Sequence, residues 1–532
     1  MNERAKEIFL GRWGLELAIG VAALLKAGLL LANVVPFNAD EAIVALMARH
    51  ILQGARPLFF YGQVYLGSLD AWLIAGGFLV FGQQVWVIRL VQIFLYMGTI
   101  WTTAKLGEVV FSRRVGILAA WLLAIPTVNV TLYTIASLGG YGEALLIGNV
   151  ILLVTFKIVD AGRAGSPSRW LIFGLLVGFG LWVFGLTLVY SLPAGMFLLW
   201  YLWRNRTDLG SVVKPVLVAG GGFFLGAFPY WLGVVQGGGG LVAAELGGSA
   251  IAGVEGGSYF YQVGKHLFSL LLLGTTVVFG LRPPWEVRWL VLPLLPFVLG
   301  FWGWVIVRMV RRPKPKGARV LLGLIITLAV GFVFTPFGAD PSGRYFVPLV
   351  VPLSLFAADA ILEVSRRHPS LGVALILLVL GYHLMGTVQS AGQNPPGITT
   401  QFDAVTWLDK SYDDDLITFL KEHSETRGYT NYWVAYPLAF LSQEELVFIP
   451  VLPYHLDFRY TQRDNRYMAY NDIVSQSEQV SYITTNHPTL EEQLRDSFSD
   501  LGISWEEEQI GNYHVFYNLS RPVRPSEIEL TP

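Results

Sequence analysis

Apolar windows of membrane-spanning length alternate with short polar gaps along the chain from residue 14 to residue 390. A helix needs about 20 predominantly apolar residues to cross a hydrocarbon core. Eleven windows fall in that range, near 14–34, 86–106, 115–135, 143–160, 169–185, 187–203, 214–235, 289–308, 319–337, 344–363 and 370–390. Two further apolar runs, "LGSLDAWLIAGGFLVFG" (66–82) and "LFSLLLLGTTVVFG" (267–280), disturb the count. Taking either one alone as a span reverses every later loop, so both are predicted to lie along, or dip into, the outer interface. Taking both as spans would restore the orientation of the C-terminal half. The first window follows a basic start, as a signal peptide would, but no small-residue cleavage site follows it, and it reads as an uncleaved anchor.

The pattern changes at "SAGQNPPGITTQFD" (390–403), which cannot continue a helix. Beyond it, "SYDDDLITFLKEH" (411–423) has a hydroxyl and acids ahead of an apolar periodic run, the start signal of a helix. "LVFIPVL" (446–452), "VSYITT" (480–485) and "YHVFYNL" (513–519) read as strands, and "TLEEQLRDSFSDLG" (489–502) as an amphipathic helix ended by Gly502. The expected architecture is a helical membrane domain over 1–390, with a first outer loop at 35–86, followed by a soluble α/β domain over 391–532. The Gly-rich stretch 236–257 is expected to be a flexible outer loop.

Charge gives the orientation. Residues 1–390 hold 28 Lys+Arg against 16 Asp+Glu, and residues 391–532 hold 9 against 22. Alternate loops carry 20 of the basic residues, including "RMVRRPKPKGAR" (308–319), and the opposite loops only seven. Basic loops stay in the cytoplasm, so the N-terminus is expected inside and the C-terminal domain outside a cytoplasmic membrane. Composition agrees: 54% of residues are hydrophobic and 14% charged, with a mean hydropathy of +0.52, whereas soluble domains are about one-quarter charged. The absence of cysteine excludes disulfides and thiolate metal sites. The acidic soluble domain has the wrong sign for a nucleic-acid partner.

The unusual polar residues gather at outer span ends and not in mid-membrane, where charges are costly and usually functional. Asp40 and Glu41 open a helix-like run; acids in a first turn suit the helix dipole, and Asp is a good N-cap, which alone would account for them. Glu143 allows the same structural account, although the preceding "GGYG" lets a backbone approach a ligand closely. Arg344 sits where the orientation rule disfavours a basic residue; it either snorkels or forks onto phosphate oxygens. Lys265, His266, Arg282 and Arg288 could add positive potential, with packing the commoner role for His266. Carboxylates and an arginine on one face suit a reaction in which an acid takes a proton and cations stabilise a phosphate leaving group. No P-loop or Rossmann fingerprint marks that face, so a lipid-phosphate donor fits better than a soluble nucleotide.

In this ordered set the chain resembles the GT-C superfamily of membrane glycosyltransferases, in the branch of protein O-mannosyltransferases and the lipid A aminoarabinose transferase. The resemblance is carried by Asp40-Glu41, by Ala48-Arg49 through Gly54, by Pro57 with Tyr61-Gly62, and by Phe81-Gly82 with Arg89-Leu90. "SLGGYGEAL" (137–145) resembles the second acidic loop of the superfamily, with one acid, Glu143, where oligosaccharyltransferase subunits usually carry two. "GRYFVPLVVPL" (343–353) is similar to the late "RY-x-x-P" element. The resemblance implies a polyprenyl-phosphate sugar as donor, a protein, lipid or glycan as acceptor, and room for a divalent metal. It assigns Asp40 as base with Glu41 tuning it, Glu143 as a further catalytic acid, and Arg344 and Tyr345, helped by Lys265 and Arg282, to the donor phosphate. A lipid-linked sugar flippase or other transporter is the alternative. That class predicts midplane charges and matched halves, yet Lys26 is the only basic residue deep in a span. A scaffold presenting the α/β domain would leave Asp40, Glu143 and Arg344 unexplained.

Overall fold

Glycine sets how closely two of the membrane helices approach. In the computed structural model, which describes residues 10–528 apart from 12, 163–165, 238–255, 313–314, 341 and 403, helix Pro167–Val183 packs against helix Gly210–Gly226 more extensively than any other helix pair. A Cβ added at Gly174 would stand 1.9 Å from the Ala219 carbonyl oxygen, and one at Gly178 2.1 Å from that of Phe223. From the facing helix, a Cβ at Gly226 would stand 2.1 Å from the Leu175 oxygen. Lipid tails give no hydrophobic drive for helices to associate, so close backbone contact between small residues supplies the attraction instead.

Among the described residues, eight helices are long and apolar enough to cross a membrane, from Gly14–Leu31 to Pro369–Ala391. The segment expected at 214–235 is a bent pair, Gly210–Gly226 and Phe228–Gln236, turning by 55°. The segment expected at 115–135 is interrupted: helix Arg113–Ala124 stops short of Pro126, and a short helix Val128–Tyr133 follows, since proline disfavours helical geometry in the residue before it. The run at 66–82 forms a helix of 13 residues, Leu69–Phe81. That at 267–280 continues helix Tyr259–Phe268 through a π-helical turn, Ser269–Gly274, into Thr275–Val278. Most of the Gly-rich stretch 236–257 lies outside the described residues.

Lys26 is buried within the first of these helices, and the structure answers its charge locally. Its Nζ donates to the Thr134 hydroxyl at 2.6 Å and carbonyl at 3.0 Å, and lies 4.4 Å from the centre of the Tyr96 ring. A cation this deep persists only when paired with acceptors or a π face.

The chain divides into two compact units. The first comprises residues 1–33, 64–70 and 88–391, and the second 34–63, 71–87 and 392–532. One division falls at 391/392, and residues 34–63 and 71–87 group with the C-terminal sequence. That sequence builds a five-stranded sheet in the order Val447–Pro450, Arg427–Thr430, Ser481–Thr485, Tyr513–Tyr517, Glu506–Ile510. The first three strands run parallel and the last two join antiparallel. Leu416 and Leu420 from helix Asp413–Glu422, and Val434 and Leu438 from helix Tyr432–Leu441, pack on Phe448, Ile483 and Val515 of the sheet. Three of the strands match the sequence pattern. Arg427–Thr430 is too short to show alternation, and Glu506–Ile510, three acids in a row at the sheet edge, has an edge strand's polarity rather than a core strand's.

Gly178→Ala is expected to destabilise the protein by about 1–3 kcal/mol through overpacking, read as a lowered midpoint of thermal unfolding in detergent. Gly221→Ala, whose Cβ would meet nothing within 4 Å, should leave the midpoint unchanged or slightly raised.

Candidate active site

Asn38 caps helix Ala39–Leu52, its side chain accepting from the Glu41 N–H at 3.1 Å. Asp40 is therefore relieved of capping and stands in the first turn, where the helix dipole favours an anion. The two acids have different surroundings: Glu41 is fully buried and Asp40 is partly exposed. Oδ1 of Asp40 accepts a hydrogen bond from the Tyr432 hydroxyl. No described residue donates to Oδ2.

Tyr432 is the first residue of helix Tyr432–Leu441, which Asn431 caps through the Trp433 N–H at 3.0 Å. One turn later, Tyr436 pins the loop that carries Asp464 and Arg466. Its hydroxyl donates to the Asp464 carbonyl oxygen at 2.9 Å and accepts from the Arg466 N–H at 2.5 Å. The Arg466 guanidinium lies 5.7 Å from the centre of the Tyr432 ring. Burial, with the nearby Asp40 carboxylate adding to it, pushes the Asp464 carboxyl up to about 7 against the pull of Arg466. Burial and Asp40 likewise hold the Tyr432 phenol well above its ordinary value, so it remains a donor.

The same unit fixes this helix by its far end. Arg49 donates to the Phe440 carbonyl at 3.0 Å and to Gln83 Oε1 at 2.7 Å, and its guanidinium lies 4.6 Å from the centre of the Phe440 ring. His50 and Tyr470 meet Glu444 Oε1 at 2.9 Å and 2.8 Å, and His50 Nδ1 lies 3.0 Å from the Tyr61 hydroxyl. Burial alone would raise the Glu444 carboxyl, but His50, Tyr470 and Arg49 together hold it below the ordinary carboxylate value.

The remaining expected site residues belong to the first unit. Glu143 lies in the first turn of helix Tyr141–Asp160, preceded by Gly140 at φ +112°, a conformation glycine adopts readily. It is buried beside the carboxyl of Asp70, and neither of its oxygens has a well-formed hydrogen bond. Asp70 accepts from Ser137 at 2.6 Å and from Gln92 at 2.8 Å. Arg344 pairs with Asp340 at 2.5 Å, stands 5.0 Å from the centre of the Tyr345 ring and has Tyr141 and Tyr65 as electrostatic neighbours. Its Nε is buried and has no acceptor among the described residues.

Arg282 is committed elsewhere. Its Nη1 donates to the carbonyls of Pro283, Pro284 and Glu286, its Nη2 to that of Leu273, and its Nε to Thr276, so it holds its own loop together. Lys265 is exposed on helix Tyr259–Phe268. His266 is buried and donates through Nδ1 to the Val333 carbonyl at 3.0 Å, a packing role.

Tyr432, Asp464 and Asp70 are not singled out by the sequence. Asp70 had a signal, a lone acid in an apolar run; Tyr432 and Asp464 had none, since Tyr432 meets Asp40 across 392 positions of chain. Among the described residues no three histidine, aspartate or glutamate side chains gather closely enough to hold a metal ion.

The raised Asp464 carboxyl predicts a pH dependence. Its ordinary value is 3.8 and its value in the fold about 7, so the folded state binds this proton more tightly than the unfolded chain. The resulting stability is complete below the ordinary value and is lost as pH rises through the folded one. The unfolding midpoint should therefore fall between about pH 4 and about pH 7. Asp464→Asn should flatten that slope; an unchanged slope would assign it to another group.

The chain is similar to known proteins. Residues 68–231 match the family model of dolichyl-phosphate-mannose-protein mannosyltransferase. No curated protein matches the chain in sequence. Among solved structures, ArnT from Cupriavidus metallidurans bound to undecaprenyl phosphate is similar with a TM-score of 0.61 at 14% identity, over 96% of this chain and 99% of that one. The oligosaccharyltransferase of Archaeoglobus fulgidus in complex with Zn and sulfate is similar at 0.52 and 14%, over 94% of this chain and 73% of that one. AglB from the same organism, with an inhibitory peptide and a dolichol-phosphate, reaches 0.50 at 13%, over 97% and 75%. Over nearly its whole length, the chain has the fold of ArnT from Cupriavidus metallidurans.

Proposed function

We propose that this protein transfers a sugar from a polyprenyl-phosphate donor to an acceptor at the extracytoplasmic face of a membrane, with inversion at the anomeric carbon. The observation that carries the reading is Asp40: a partly exposed carboxylate in a helix's first turn, held at Oδ1 by Tyr432, with no described residue donating to Oδ2. A base fixed at one oxygen and open at the other is placed to take a proton from an acceptor hydroxyl or amine. The acceptor oxygen or nitrogen then attacks the anomeric carbon, the bond from that carbon to the phosphate oxygen breaks, and polyprenyl phosphate leaves with the electron pair.

Arg344 is the candidate ligand of the leaving phosphate. Its Nε lacks an acceptor in a buried setting rich in tyrosine, and a guanidinium forks onto phosphate oxygens. The structures of similar fold that hold undecaprenyl phosphate or dolichol-phosphate support this class of carrier. Glu41, fully buried, is assigned to orient the helix start, and Glu143 with Asp70 to shape the acidic loop. If a divalent cation takes part, it would supply charge neutralisation at the phosphate. Arg282, engaged with its own loop, is left out of the donor site.

The test is release of polyprenyl phosphate from a panel of polyprenyl-phosphate sugars by the purified protein. Asp40→Asn should lower the rate by about 10²–10⁴-fold, the worth of a positioned base. Tyr432→Phe should lower kcat by roughly tenfold with KM little changed, as expected when a hydrogen bond that orients the base is lost. Release that ignores Asp40 would remove it as the base. Absence of release from every donor, by folded protein that still binds the lipid, would favour the flippase.

A further inference from the structure

One cavity in the first unit is lined by none of the residues assigned above. It measures 740 Å³ and lies where several helices end: Val85–Val110, Leu295–Arg311 and Val350–Arg367 by their C-termini, Arg113–Ala124 and Pro369–Ala391 by their N-termini. Its floor is apolar, with Val110, Val305, Phe356 and Ile376 among the lining side chains. Its polar lining holds four arginines, Arg114, Arg308, Arg312 and Arg366, against two acids, Asp359 and Glu363.

The acids account for two of the four cations. Arg308 pairs with Asp359 at 3.0 Å and also with Glu363, which pairs in turn with Arg312. Arg114 and Arg366 have no acidic partner among the described residues. Arg366 has an ordinary explanation, since it lies in the last turn of its helix, where the dipole favours a cation. Arg114 does not. It is the second residue of helix Arg113–Ala124, whose dipole opposes a cation there, and Ser112 already caps that end through the Val115 N–H. An exposed arginine with no acidic partner among the described residues, beside an apolar floor, suits an anion with an apolar tail.

We infer that this cavity binds the phosphate headgroup of an anionic membrane lipid, with the acyl chains lying along the apolar floor. The surrounding span ends carry the basic loops that the charge asymmetry assigns to the cytoplasm, where the leaflet is rich in anionic lipid and basic pockets between helices hold its headgroups. The volume falls within the usual range of ligand sites, and the guanidinium groups of Arg114 and Arg366 match phosphate geometry. A free phosphate shares the headgroup chemistry but would leave the apolar floor uncovered.

The experiment is native mass spectrometry of the full-length protein in detergent, titrated separately with phosphatidylglycerol, phosphatidylcholine and inorganic phosphate. The wild type should retain phosphatidylglycerol well above phosphatidylcholine. The double variant Arg114→Gln/Arg366→Gln, which leaves the three ion pairs intact, should bind phosphatidylglycerol roughly ten- to thirtyfold more weakly. Arg114→Lys/Arg366→Lys, keeping both charges, should recover most of that loss. Equal retention of the two lipids by the wild type would overturn the inference without needing any variant to fold. So would unchanged phosphatidylglycerol binding by a double variant with a wild-type unfolding midpoint. Inorganic phosphate binding as tightly as phosphatidylglycerol would overturn the lipid assignment in favour of a soluble anion.

Discussion

The Glu444 carboxylate is the fastening on which the second unit depends. His50 and Tyr470 share one of its oxygens, and Arg49 approaches the other at 3.5 Å. An isolated surface ion pair contributes little to stability, but this group is half-buried and is met by two cationic or ionisable side chains from one helix. Breaking such a cluster by removing one member leaves the others buried and unpaired, which costs more than the contact itself contributes. Arg49 and His50 are the last turn of the helix whose first turn is Asp40. Holding the far end of a helix of fourteen residues fixes the direction in which its near end presents a carboxylate. Tyr432 then meets that carboxylate from a helix that also supplies Phe440, the residue under Arg49. Helix Ala39–Leu52 and helix Tyr432–Leu441 of the C-terminal sequence are thus joined at both ends.

This arrangement gives the C-terminal sequence a part in the site that its composition does not suggest. It is acidic and water-soluble in pattern, and read alone it is a small α/β domain. Yet the loop between its second and third parallel strands in chain order brings Asp464 to the neighbourhood of Asp40, and Tyr436 binds that loop on both sides of Asn465. Burial next to a second carboxylate is what makes Asp464 hold its proton toward neutral pH.

The membrane part was legible in the sequence because its signal is one-dimensional: a run of apolar residues either is or is not long enough to span. The position of Asp40 and Glu41 in a helix's first turn was legible for a similar reason, since adjacent acids stand out against apolar neighbours. Bends and breaks were harder. Pro126 marks an interruption inside an apolar window, but averaging over twenty residues hides it. The pairing of Asp40 with Tyr432 was not legible at all, because a tyrosine after a capping asparagine is an ordinary helix start. Arg282 shows the opposite limit: its type and position suit a phosphate, and only the five donor contacts to its own surroundings reveal that its guanidinium is occupied.

Burial separates the acids that the sequence could only group. Glu41 and Glu143 are enclosed, and Asp70 has both oxygens engaged by Ser137 and Gln92. An enclosed carboxyl cannot meet an incoming acceptor without local opening, however well its chemistry suits the task. Among these described acids, Asp40 is partly exposed and held at Oδ1, with no described residue donating to Oδ2. Arginine is sorted by the same criterion: Arg282 has every nitrogen engaged, Arg308 is balanced by acids, and Arg344 retains a buried N–H with no acceptor. A group that is positioned by the protein but incompletely satisfied by it is free to act on something else, and in the proposed function that property, rather than residue type, selects Asp40 and Arg344 from their neighbours.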